Sequence, residues 1–274
     1  MNARTGRWMA ALVVAAVFAF GLWKVFVHSN SLVNPMVVTP KMDVHKTFAT
    51  DFPARVSRLI REQKHEDRSG RPRLVALTFD DGPYSVATPI LLDVLRDLHV
   101  RATFFYIGRD AEQWPELTWR TSMEGHELAD HTYSHPNLAK LPPAKVAAEI
   151  IKGARVLHRY STDRAIDRLF RPPHGRFTEE TLRVAQRLHY LTILWNDDPG
   201  DWQTLTARHL ADQIESHATA PDVVLLHSGR LPTIAMLPDV IRRFRAAGYT
   251  FVTVSELLGR VPAEQANHPS KGAI

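Results

Sequence analysis

From residue 71 onward, short apolar runs alternate with longer stretches whose apolar positions recur at intervals of three and four. The runs at 74–79, 102–107, 127–131, 169–171, 191–195, 223–227 and 250–254 are bounded by charged or turn-forming residues, as buried strands are. The stretches at 88–98, 144–160, 178–188, 206–217 and 234–247 carry an apolar stripe opposite a charged face, as helices packed on a sheet do. Gly248 is placed to stop the last of them. This alternation predicts an α/β fold of parallel strands joined by crossover helices, and no internal repeat or low-complexity tract interrupts it.

The amino-terminal region has a different texture. Residues 8–27 are 20 positions with one charge, Lys24. At about 1.5 Å per residue they just span a hydrocarbon core of about 30 Å. Arg4 and Arg7 precede the segment, so the positive-inside rule leaves residues 1–7 in the cytoplasm and carries the rest of the chain outside. One uncleaved transmembrane helix is expected. A cleavable signal peptide is the alternative, against which stand the length of the apolar stretch and the lack of an Ala-x-Ala site after it. Residues 28–70, polar and holding Pro35, Pro40 and Pro53, read as a stalk with one short helix near 54–63. Residues 71–262 read as a single domain and 263–274 as a disordered tail. The expectation is a single-pass membrane protein with its domain outside the cytoplasm.

Composition narrows the chemistry. The absence of cysteine excludes disulfides and thiolate metal ligands. A net charge of +5 and a pI near 9.6 suit association with an anionic wall or membrane surface, and equally describe a basic exported protein. No nucleic-acid-binding motif accompanies the charge.

Two places break the apolar pattern. The first run ends in Asp80-Asp81-Gly82-Pro83. Adjacent carboxylates at the end of a buried strand are desolvated and repel each other, so they call for a metal, another cation or a shared proton. The plainer reading is a turn whose carboxylates stay solvated. Alternation along a strand predicts that the two side chains point in different directions. The second place is His131 and His135, four apart where a short strand runs into a loop. Among 14 histidines such a spacing arises about once by chance. Two imidazoles and one carboxylate nevertheless form a three-ligand set for a divalent ion with one position left open, as in catalytic rather than structural zinc.

Five motifs give these residues a common setting: Thr78-Phe79-Asp80-Asp81-Gly82, His131-Thr132-Tyr133-Ser134-His135, Arg171-Pro172-Pro173-His174-Gly175, Asp198-Pro199-Gly200-Asp201-Trp202 and Leu225-Leu226-His227-Ser228. In this order, over about residues 71–260, the chain resembles the polysaccharide deacetylases of the NodB homology, carbohydrate esterase 4 group. The resemblance implies a distorted, incomplete (β/α) barrel, with its active site at the carboxyl ends of the strands. It implies that Asp80 is the general base, that Asp81, His131 and His135 hold a divalent metal, and that Arg171 pairs with the base and orients it. It implies further that His227 is the general acid, with Asp201 fixing its tautomer and raising its pKa. The backbone N–H of His174 corresponds to the oxyanion donor, in a position where relatives carry an aromatic side chain. Trp202 and Leu225 correspond to the lining of the acetyl pocket.

The function so implied is removal of N-acetyl groups from amino sugars of a cell-envelope polysaccharide, with zinc as the expected metal and cobalt or nickel as alternatives. Peptidoglycan is the first expected substrate, with chitin oligomers or poly-N-acetylglucosamine next. Two other readings stay open. An amide or imide hydrolase of the same fold, acting on a non-carbohydrate substrate, requires a small closed pocket. A catalytically silent wall-binding module requires a lost catalytic residue, and none is missing.

Overall fold

The computed structural model describes residues 73–161, 168–203, 205–218 and 222–259. The expected transmembrane segment, the stalk with its short helix and the tail at 263–274 lie outside the described residues. Among the described residues, no helix is long and apolar enough to cross a membrane.

In chain order the elements are β1 (Arg73–Asp80), α1 (Ala87–Asp97), β2 (Thr103–Tyr106), α2 (Gly108–Gln113), α3 (Pro115–Met123), β3 (Glu127–Asp130) and α4 (Pro143–Leu157). They continue with β4 (Leu169–Phe170), α5 (Glu179–Arg187), β5 (Leu191–Thr192), α6 (Ala207–His217), β6 (Asp222–His227), α7 (Leu231–Ala246), β7 (Tyr249–Phe251) and α8 (Val254–Leu257). The sheet runs β5-β4-β3-β2-β1-β6, β7 pairs with the start of β1, and every pairing is parallel. Backbone beyond β5 closes part of the gap to β6: Leu225 N–H donates to Asp197 O at 2.9 Å and Asn196 N–H to Val223 O at 3.2 Å. The result is the curled, incomplete α/β barrel that the motifs imply.

The two faces of the strands have separate jobs. Val75, Leu77 and Phe79 of β1 pack with Leu91, Leu95, Leu237 and Ile241 in the layer between sheet and helices. The alternate residue Ala76 joins Phe105, Ala129, Leu169, Ile193 and Val223 in a second cluster, which fills the barrel interior. Val254, Leu257 and Leu258 close that interior at the amino ends of the strands. Side chains alternate with a period of two, so counting onward from Ala76, Ala129, Leu169 and Val223 brings Thr78, Asp80, His131, Arg171, Leu225 and His227 to the same inner face. The core pattern thus aims these residues at one place.

Two expectations need correction. The strand expected over 250–254 stops at Phe251, because Thr253 caps α8: its side chain accepts from Glu256 N–H while Glu256 Oε2 accepts from Thr253 N–H at 2.9 Å. The strand expected over 191–195 shortens to Leu191–Thr192, because the Ile193 and Leu194 carbonyls accept from the Arg171 guanidinium at 3.3 and 3.1 Å. Helices α2 and α3 had no counterpart in the sequence reading. Gly248 does follow α7 with φ +80°, a conformation easy only for glycine.

Candidate active site and metal centre

Arg171 is fully buried, which demands partners for its charge and its N–H groups. Its Nη1 donates to Asp80 Oδ1 at 2.6 Å and to Thr78 Oγ1 at 2.8 Å, and its remaining bonds reach the two β5-edge carbonyls. The guanidinium also lies 4.0 Å from the centroid of the Phe105 ring. One oxygen of Asp80 is therefore committed, while Oδ2 faces His131 Nε2 at 3.7 Å.

The chain turns sharply after Asp80. Asp81 takes φ 66°, outside the strand, so its carboxylate swings back towards His131 instead of pointing away as strand alternation predicts. Asp81 Oδ1 lies 3.8 Å from His131 Nε2 and 3.3 Å from His135 Nε2. Ser228 secures this turn, its Oγ donating to the carbonyls of Asp80 and Asp81, both at 3.1 Å.

Asp81, His131 and His135 each offer a ligand atom, all within 4.8 Å of one another. His131 Nδ1 lies 2.8 Å from Arg171 O, and a carbonyl only accepts, so Nδ1 carries the proton and Nε2 presents its lone pair to the cluster. Burial holds the His131 imidazole below its ordinary pKa, and burial with the neighbouring His131 and His174 holds His135 down to about 3. Burial raises the Asp81 carboxyl, partly offset by His131. Two neutral imidazoles beside one carboxylate fit a divalent ion as a donor set.

Across the barrel end, His227 Nδ1 lies 2.6 Å from Asp201 Oδ1. The other carboxylate oxygen accepts from His227 N–H at 2.8 Å and from Thr233 Oγ1 at 2.7 Å. Burial pulls the His227 imidazole down, but the Asp201 hydrogen bond and charge, with the charges of Asp80 and Asp81, outweigh it and push the pKa up to about 9. The Asp201 loop is shaped by Asp198, whose carboxylate accepts from Gly200 N–H at 2.9 Å.

His174 sits in a left-handed conformation, φ 59°, its ring centroid 4.5 Å from that of His135. The amides of Gly175 and Arg176 donate to Pro172 and Pro173. Leu225 is buried on the inner face, whereas Trp202 is 59% exposed and stands at the rim. The named polar residues gather at this end of the barrel, with Trp202, His174 and Asp198 exposed at its edge. Thr78 and Ser228 fell within recognised motifs, but the sequence assigned them no role. Thr233 was not singled out at all, because nothing local signals a partner 32 residues away.

A parallel α/β barrel with paired carboxylates, two imidazoles and a carboxylate-backed histidine at one end is built for hydrolysis. The polysaccharide deacetylase family matches residues 67–193. A peptidoglycan-N-acetylglucosamine deacetylase of Bacillus cereus is 35% identical over 68% of this chain and 88% of its own length. A chitooligosaccharide deacetylase of Azorhizobium caulinodans is 33% identical over 70% of this chain and 88% of its own. The crystal structure of a peptidoglycan N-acetylglucosamine deacetylase in complex with an N-oxidanyl-benzamide superposes with a TM-score of 0.64 at 35% identity, covering 67% of this chain and 86% of that one. The chain belongs to the polysaccharide deacetylase family, the NodB-type carbohydrate esterase 4 group. It is a polysaccharide N-deacetylase, an enzyme hydrolysing non-peptide carbon–nitrogen bonds.

Proposed function

We propose that this enzyme removes acetyl groups from N-acetylglucosamine residues of a cell-envelope polysaccharide, peptidoglycan first among them, in a metal-dependent reaction. The observation that carries the proposal is the Asp81–His131–His135 cluster, flanked by Asp80 with Arg171 on one side and by His227 with Asp201 on the other. Asp81, His131 and His135 would hold a divalent ion, zinc in first place, which supplies Lewis acidity to the scissile carbonyl and acidifies water.

The chain's own groups then divide the proton transfers. Asp80 Oδ2, the oxygen not tied to Arg171, accepts the proton of the attacking water as its oxygen adds to the acetamide carbonyl carbon. The His174 amide donates to the developing oxyanion, a role that needs backbone only and so tolerates imidazole where relatives carry an aromatic ring. His227 gives a proton to the nitrogen as the carbon–nitrogen bond breaks, leaving a free amine and acetate. Asp201 keeps that imidazole protonated and correctly turned. Leu225 and Trp202 are assigned to the wall and rim of the acetyl site.

We further place the enzyme domain outside the cytoplasm, tethered by residues 8–27. A near-uncharged stretch preceded by Arg4 and Arg7 supports that topology.

Acetate release from purified peptidoglycan, chitin oligomers and poly-N-acetylglucosamine tests the function. Peptidoglycan is expected to give the highest kcat/KM. Preference for another polymer overturns the substrate choice, and activity only on small non-carbohydrate amides overturns the carbohydrate reading.

A further inference from the structure

The turn that carries His135 holds two non-glycine residues in the left-handed region, Thr132 at φ 68° and His135 at φ 59°. Such conformations persist where surrounding contacts over-determine them. Every amide from His131 to His135 has its acceptor. His131 N–H donates to Tyr106 O at 3.1 Å, Thr132 N–H to Asp130 Oδ1 at 3.1 Å, and Tyr133 N–H to Glu149 O at 3.1 Å. Ser134 N–H donates to Glu149 Oε2 at 2.8 Å and His135 N–H to Thr132 Oγ1 at 3.1 Å. Ser134 Oγ adds a bond to the other Glu149 oxygen at 2.9 Å. Glu149 alone therefore receives three of these bonds.

Glu149 stands on α4, and its neighbours on the same helical face grip the same turn. Positions i, i+3 and i+4 share a face. Lys152 Nζ lies 3.3 Å from the centroid of the Tyr133 ring. Gly153 lies so close to Thr132 that an added Cβ would come within 2.8 Å of its carbonyl carbon. Helix α4 thus holds Thr132, Tyr133 and Ser134 in succession, and His135 follows directly.

We propose that Glu149 is a positioning residue that sets the metal affinity of the site, by fixing Ser134 and through it the placement of His135 Nε2 against Asp81. The inference rests on the reading of Asp81, His131 and His135 as ligands. Glu149 touches none of the three side chains, so its effect is expected in affinity for the ion as well as in turnover.

The test is titration of the full chain with Zn²⁺ against a chromophoric chelator, alongside the metal-free unfolding midpoint. Glu149→Ala should weaken Zn²⁺ binding by about 10-fold, the low end of the cost of losing a direct partner of a ligand, because Glu149 acts on His135 through Ser134. Glu149→Gln should stay within about threefold of wild type, because its amide oxygen accepts from Ser134 N–H and its amide nitrogen donates to Ser134 Oγ. Ser134→Ala, losing one bond, should fall between them, and it decides the matter if Glu149→Ala fails to fold. Wild-type Zn²⁺ affinity in a folded Glu149→Ala, or in Ser134→Ala when that variant must decide, overturns the proposal. A wild-type chain that does not bind Zn²⁺ overturns the ligand assignment itself, a distinguishable result.

Discussion

Asp201→Asn separates the acid from the rest of the machinery. One carboxylate oxygen of Asp201 faces His227 Nδ1 at 2.6 Å, and the other accepts from His227 N–H and Thr233 Oγ1. An amide can keep the second pair of bonds with its oxygen, but its NH₂ then faces Nδ1 and favours the neutral ring. His227 is pushed up to about 9 from its ordinary 6.5, chiefly by Asp201 acting against burial. Without the carboxylate, burial is opposed only by the charges of Asp80 and Asp81, and the pKa should fall towards its ordinary value of about 6.5. At pH 8 an imidazole of pKa about 9 is about 90% protonated and one of about 6.5 only about 3%, so the loss should be roughly 30-fold. At pH 6 the same arithmetic gives less than about a twofold loss. The sign follows from the role: an acid with a raised pKa works below that value and is lost as pH rises through it. The assay is kcat/KM for acetate release across neutral and mildly alkaline pH, with wild type and variant both metal-loaded. An alkaline limb that stays at the wild-type position refutes the pairing of Asp201 with a catalytic His227.

Other consequences are independent of that pair. Asp80→Asn removes the base while keeping its size, so kcat should drop by about 10²-fold or more with bound Zn²⁺ unchanged; near-native turnover contradicts the assignment. Gly153→Ala drives a methyl group into Asp130 Oδ1 and the Thr132 backbone, and should cost about 1–3 kcal/mol, read as a lower melting temperature; an unchanged midpoint shows that α4 can recede from the turn. The full-length chain should sediment with membranes and its domain should be digested by protease added to intact protoplasts or spheroplasts, whereas a soluble mature protein beginning near residue 30 points to a cleaved signal.

Residues whose role follows from chain-local chemistry were legible in advance. Asp80 and His131 broke the apolar pattern on their own, whereas Arg171 and His227 were marked by the family resemblance; all four stand at the ends of apolar runs, so the core pattern that forms the strands also places them. The convergence of Asp201 on His227 came from family resemblance, since 26 residues and a helix separate them and no periodicity links them. Asp81 was placed wrongly in direction because a left-handed residue breaks strand alternation, and the following Gly82-Pro83 signalled the turn without giving its aim. Edge lengths failed where side chains compete for backbone: β5 is short because Arg171 takes the carbonyls that a longer strand would use. The end of β7 was readable after all, in Thr253-Val-Ser-Glu256, a capping-box sequence inside what resembled a strand. Helices α2 and α3 are short, and the local signals for α3 were Pro115 at its start and Gly125 just past its end. Glu149 belongs to no motif, and only the packing of α4 against the turn exposes it.

Metal dependence at Asp81, His131 and His135 is tested by removing the ion and returning it. The full chain is stripped with a chelator, acetate release from peptidoglycan is measured, and Zn²⁺ or Co²⁺ is then returned to wild type and to His135→Ala. Activity should vanish on stripping and return in wild type with about one ion bound per chain, while His135→Ala should bind the ion far more weakly. Full turnover by the stripped enzyme, or equal metal binding by His135→Ala, contradicts it.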